Sequence, residues 1–146
     1  MNYLRQVLFF AFACSLSYTT KAQPALFTRL AESHRINENY KAGIAEGRHA
    51  VSAALKLKDF TEATKAYVVL ANIYANMQEF SLLKKASDSA VLTAQQVRSP
   101  IAKAYGYYAQ AFLYKTIDNA ELSMKYGQMA LKELGKTPDH YIKAKI

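Results

Sequence analysis

The feature that most constrains this chain is a period: from Gln23 onward the sequence superimposes on itself when shifted by 40 residues. Phe27, Tyr67 and Tyr107 form one aromatic column, and four residues later Ala31, Ala71 and Ala111 form a small one. Three further on stand His34, Tyr74 and Tyr114, followed by Tyr40, Phe80 and Ala120. Gly47, Ser87 and Gly127 make a second small column and Ala50, Ala90 and Ala130 a third, with Val51, Val91 and Leu131 directly behind. His34 and Ala120 are the two departures from these columns.

Spacings of 4 and 3 put the aromatic, small and aromatic positions of a unit on one face of a helix, and the second cluster repeats that spacing. Each unit therefore reads as two helices. Polar breaks at Asn37-Glu38-Asn39, Asn76-Met77-Gln78-Glu79 and Thr116-Ile117-Asp118-Asn119 separate first from second helices at matching places. Ser99-Pro100 and Thr137-Pro138 read as an N-cap followed by Pro at the first helical position, Asp59 with Glu62 as a capping box, and Gly135 as a helix end after Leu134. The small columns let two backbones approach where helices cross, and the facing aromatics fill the remaining gap. A large residue there wedges the pair apart, at about 1–3 kcal/mol. On that logic Tyr67, Tyr74, Tyr107 and Tyr114 are core.

The segment ahead of the repeats reads as an address. Arg5 precedes the apolar run from Val7 to Leu16, which gives way to Ser17-Tyr18-Thr19-Thr20. Ten residues are too few to span a bilayer. Thr20-Lys21-Ala22 offers small residues three and one before a cut, so residues 1–22 are expected to be a signal peptide and 23–146 the mature domain, exported to the periplasm, the cell envelope or beyond. Lipidation at Cys14 and a retained membrane anchor are the competing readings. Cys14 is the single cysteine, so cleavage leaves a chain without disulfide or thiol chemistry, stabilised by packing alone. Removing Arg5 and Lys21 with the leader leaves 17 cations against 11 acids, a net +6, which is moderately basic.

Units of this form resemble the tetratricopeptide repeat family, whose first helix carries an aromatic, a small residue four later and a Tyr three beyond, and whose second helix carries an aromatic and two small positions. The resemblance covers residues 24–135 and is strongest in the second unit, with Tyr67, Ala71, Tyr74, Phe80, Leu83, Ser87 and Ala90. Ala71 stands where the family usually has Gly, and Leu83 where it usually has Ala. In the first unit His34 replaces Tyr, and Gly43 and Gly47 fall inside an expected helix, each costing roughly 1 kcal/mol relative to Ala. The resemblance implies an all-α fold, a right-handed α-solenoid of antiparallel helix pairs. Its three repeats would lie near 24–58, 59–98 and 99–136, with the start of a fourth over 137–146. A period of 40 exceeds the family's commonest 34, the extra length falling around Leu55–Thr64 and Gln95–Lys103. This long form is similar to repeats in bacterial signalling proteins, notably exported sensor kinases and transcription regulators. Lys143-Ala144 falls 40 after Lys103-Ala104, so the stub Asp139–Ile146 is either a small cap or the opening of further repeats, a membrane span or an output domain.

Catalysis is not expected. His34, His49 and His140 are scattered, neither a His-x-x-x-His nor a Glu-x-x-His face is expected for a metal, and no Gly-rich phosphate loop is present, so neither cofactor nor metal is implied. In the family the first helices of successive units line a concave groove, at positions one and five after the aromatic column. These are Thr28 and Glu32, Val68 and Asn72, and Tyr108 and Phe112. Helical spacing adds Arg35, Lys65, Tyr105 and Lys115. The candidate peptide groove is therefore Arg35, Lys65, Asn72, Tyr105, Tyr108, Phe112 and Lys115. Aromatics with nearby cations suit a peptide or helix bearing acidic groups. The alternative is that the same rings bury against a neighbouring repeat. A terminal-carboxylate clamp known in some relatives is not expected, because Thr28, Glu32 and Val68-Val69 stand where its polar residues would be. The function expected is an exported protein–protein interaction module, a scaffold or the sensory part of a larger signalling protein. An envelope glycan-handling protein is the alternative. Nucleic-acid binding is a third reading, disfavoured because base-reading helical repeats use a shorter period and export removes the substrate.

Overall fold

The computed structural model of the protein describes residues 23–135; the expected leader, the Thr137-Pro138 cap and the stub after it lie outside the described residues. Within them the regular structure is entirely helical. A first helix, α1, covers residues 23–36. It is followed by α2 (Tyr40–Lys56), α3 (Phe60–Asn76), α4 (Phe80–Ala94), α5 (Pro100–Thr116) and α6 (Ala120–Leu134). Turns of a few residues join them, so consecutive helices run antiparallel and pack in pairs. No described helix is long and apolar enough to cross a membrane.

The helix starts follow the side chains that cap them. Asp59 Oδ1 accepts from the Glu62 backbone N–H at 3.0 Å, Ser99 Oγ from Ala102 at 3.2 Å ahead of Pro100, and Asn119 Oδ1 from Leu122 at 3.1 Å. Glu79 heads α4 with no such bond. The ends of α1, α2, α3 and α5 share a device that carries no sequence signature. Glu38, Lys58, Gln78 and Asp118 each adopt φ between 55° and 59°, and the first three are spaced at half the repeat. Around Lys58 the reversed backbone returns hydrogen bonds from Leu57 to Ala53, from Lys58 to Leu55 and from Asp59 to Ala54, satisfying carbonyls the helix would otherwise leave open. None of the four is glycine, the residue that adopts this conformation without steric cost. Gly135, with φ 40°, closes α6 as its sequence position suggests.

The small columns are all buried. Gly43 and Gly47, liabilities for an isolated helix, sit where α3 presses on α2: a Cβ added at Gly43 would lie 2.9 Å from Ile73 Cδ1. The core runs as a row from one helix pair to the next. Ala31, Val69 and Ile73 join α1 to α3; Ala50, Leu70, Tyr74 and Leu83 join α2, α3 and α4; Val68, Ala104, Tyr108 and Leu134 join α3, α5 and α6. Of the aromatics assigned to the core, Tyr74 is buried, whereas Tyr67, Tyr107 and Tyr114 are half-buried, their rings flanking the core on the side of the second helices. Between α4 and α5, Gln110 Nε2 donates to Asp88 Oδ1 at 3.0 Å, while Lys84 Nζ donates to Asp88 Oδ2 at 2.6 Å. That hydrogen bond, with the carboxylate's charge, raises the Lys84 ammonium above its usual range.

Candidate functional site

The first helices α1, α3 and α5 present two cavities. The first, of about 440 Å³, takes Arg35 from α1, Asn72 from α3 and Tyr108, Phe112 and Lys115 from α5. The second, of about 500 Å³, lies between α1 and α3, with Lys65 and Tyr105 on its wall. All seven candidate residues therefore line one cavity or the other, five in the first and two in the second. The family-derived groove positions Thr28, Glu32 and Val68 join the second.

Helical register explains the division. On α5 the candidates fall at intervals of 3, 4 and 3, so they form one stripe turned from the Tyr107 and Tyr114 face. The stripe is not uniformly open. Tyr105 and Tyr108 are each 6% exposed and belong to the α3–α5–α6 core, whereas Phe112 is half-buried and Lys115 exposed. Phe112 stacks on Tyr108 with centroids 6.2 Å apart. The rings thus make walls, and the reachable groups are the Phe112 ring and the polar side chains around it.

Charge in these cavities is mostly positive. Arg29, Arg35, Lys65 and Lys115 line them with a single carboxylate, Glu32. Arg35 is held in a two-pronged contact with that carboxylate, Nε to Oε2 at 2.7 Å and Nη2 to Oε1 at 2.9 Å, which fixes the guanidinium one turn from its partner. Lys65 lies 5.5 Å above the Tyr105 ring and 3.8 Å from Glu62. Asn72 is 5% exposed, and its Oδ1 has no hydrogen-bond partner. A buried acceptor left unmade costs about 1–3 kcal/mol, a cost the free chain carries at this position.

Sequence reasoning missed the wall supplied by α6, where Ser123, Met124, Gly127 and Leu131 close the first cavity. The signal was present in the small column. Gly47, 80 residues before Gly127, receives Leu70 of the following first helix, so Gly127 marks the equivalent face of the third unit. The expectation that no Glu-x-x-His spacing exists is corrected by Glu46 and His49, which have that spacing on α2. Among the described residues no group of three or more His, Cys, Asp or Glu could hold a metal, and His49 instead meets the Phe27 ring edge-on at 5.9 Å. No protein-family model, curated protein or solved structure matches the chain.

Proposed function

We propose that this chain is an exported protein–protein interaction module, a right-handed superhelix of the tetratricopeptide kind, that takes up an acidic peptide or partner helix along its first helices. It would act as a scaffold or as the sensory part of a larger signalling protein, by shape and charge without chemistry. The observation that carries this reading is the cavity at which α1, α3 and α5 bring Arg35, Asn72, Phe112 and Lys115 together. The cations would draw carboxylates, and the Phe112 ring would cover an apolar side chain. Glu32 and Glu62 already pair with Arg35 and Lys65, so the excess that favours an acidic ligand over a neutral one rests on Arg29 and Lys115.

A displayed library of acidic peptides, selected on the full-length chain and then measured by calorimetry, tests the assignment. Selected peptides are expected to lose about tenfold in affinity, equivalent to 1.4 kcal/mol, on Phe112→Ala and on Lys115→Glu. Affinities indifferent to both substitutions would remove the groove.

A further inference from the structure

The aromatic pair of each unit is covered differently in the three units. In the third, Tyr126 of α6 lies against both members of the pair, 6.3 Å from Tyr107 and 5.5 Å from Tyr114, with its plane within 5° of the Tyr114 ring. In the first, His49 of α2 supplies a ring to Phe27. The period of 40 makes position 86 the equivalent of 126, and position 89 the equivalent of 49. The middle unit carries Ala86 and Ser89 there. Neither residue can supply a ring, and Tyr67 and Tyr74 have no ring partner among the described residues. A cavity of about 450 Å³ opens at that place between α2 and α4, floored by Leu70 of α3. Arg48 and Lys85 line it and no acidic residue does; Arg48 Nη2 approaches the Tyr74 hydroxyl at 3.5 Å.

We propose that this cavity binds a small aromatic acid, its aryl ring taking the place that Tyr126 fills in the third unit and its carboxylate meeting Arg48 and Lys85. The molecule itself displays how such a ring packs. Parallel stacking on the second aromatic and a tilted approach to the first give an aryl group more than its buried area alone. Arg48 offers the planar fork that pairs with a carboxylate. The volume lies within the roughly 300–1,000 Å³ of small-molecule sites. The cavity is formed by second helices and the opposite face of α3, so it is independent of the groove along the first helices, and either can stand without the other.

Titrating the isotope-labelled full-length chain with 3-phenylpropionate, 3-phenylpropanamide and propionate, followed by NMR, separates the ring from the charge. Phenylpropionate is expected to give saturable shifts at Tyr67, Tyr74 and Ala86, the neutral amide to bind about tenfold more weakly, and propionate to leave these signals unmoved. Ala86→Tyr, which installs the third unit's own ring, should abolish the shifts with helicity intact. Arg48→Gln, at an exposed position, should weaken binding about tenfold and keeps the test decisive should the tyrosine variant fail to fold. Absence of saturable shifts at millimolar phenylpropionate, equal affinity for the amide, or undiminished binding by a folded Ala86→Tyr chain would each overturn the assignment.

Discussion

A Cβ placed on Gly47 would stand 2.7 Å from Leu70 Cδ2 and 2.9 Å from Leu70 Cγ, so α2 and α3 meet with no room for a methyl group. Helix propensity favours Ala over Gly by about 1 kcal/mol, and overpacking opposes it by about 1–3 kcal/mol. Because Leu70 is itself buried, the steric cost should win. Gly47→Ala is expected to lower the melting temperature by about 4 °C. Adding Leu70→Ala should cost less in the Gly47→Ala chain than in the wild type, a coupling readable from urea denaturation of the four proteins.

Asp88 serves two partners unequally. Gln110 is buried and would be left without its acceptor, while Lys84 is exposed and its ion pair is screened by water. Asp88→Ala is therefore expected to destabilise the fold by about 1–3 kcal/mol, and Lys84→Met to lower the denaturation midpoint near neutral pH only slightly. The raised ammonium sets the sign of the pH effect. Its contribution is present below the ordinary value of 10.5 and is lost as pH rises through the higher folded-state value, so any difference between wild type and Lys84→Met should vanish only in strong alkali.

Among the described residues three buried oxygens lack hydrogen-bond partners, Glu46 Oε2, Asn72 Oδ1 and Ser87 Oγ, and the last two make opposite predictions about binding. Ser87 belongs to a small column, whereas Asn72 is a residue of the first cavity's wall. Ser87→Ala and Asn72→Leu should each stabilise the free chain by about 1 kcal/mol, because each removes an unmade hydrogen bond. Only Asn72→Leu should also weaken acidic peptides. Thermal melts paired with calorimetric affinities for both variants check the contrast.

Ser99 starts α5 after the longest turn, where Ala102 N–H finds its oxygen at 3.2 Å. Ser99→Ala should cost about 1 kcal/mol, with hydrogen exchange at Ala102 and Lys103 rising more than at the far end of α5.

The helices were legible because close helix crossings demand small residues and turn starts demand oxygen-bearing caps, and both demands select residue types. The closing turns demand a backbone conformation that Glu38, Lys58, Gln78 and Asp118 adopt without any glycine, so nothing in those letters announces it. The groove was legible in part: helical spacing gathered the candidate side chains at two cavities. Spacing alone could not reveal that Tyr105 and Tyr108 are nearly covered, since that depends on α3 and α6 closing over them. The cavity beside Ala86 was visible only by contrast with Tyr126, because an absent ring has meaning where an equivalent position has one.

Packing among the described residues is carried by helices adjacent in the chain and by the first helices against one another, α1 on α3 and α3 on α5. Among the described residues these links run between near neighbours in the row. Tension applied at its two ends would be relieved stepwise, by peeling one link while the rest held, and the chain would yield like a spring instead of snapping at a single force.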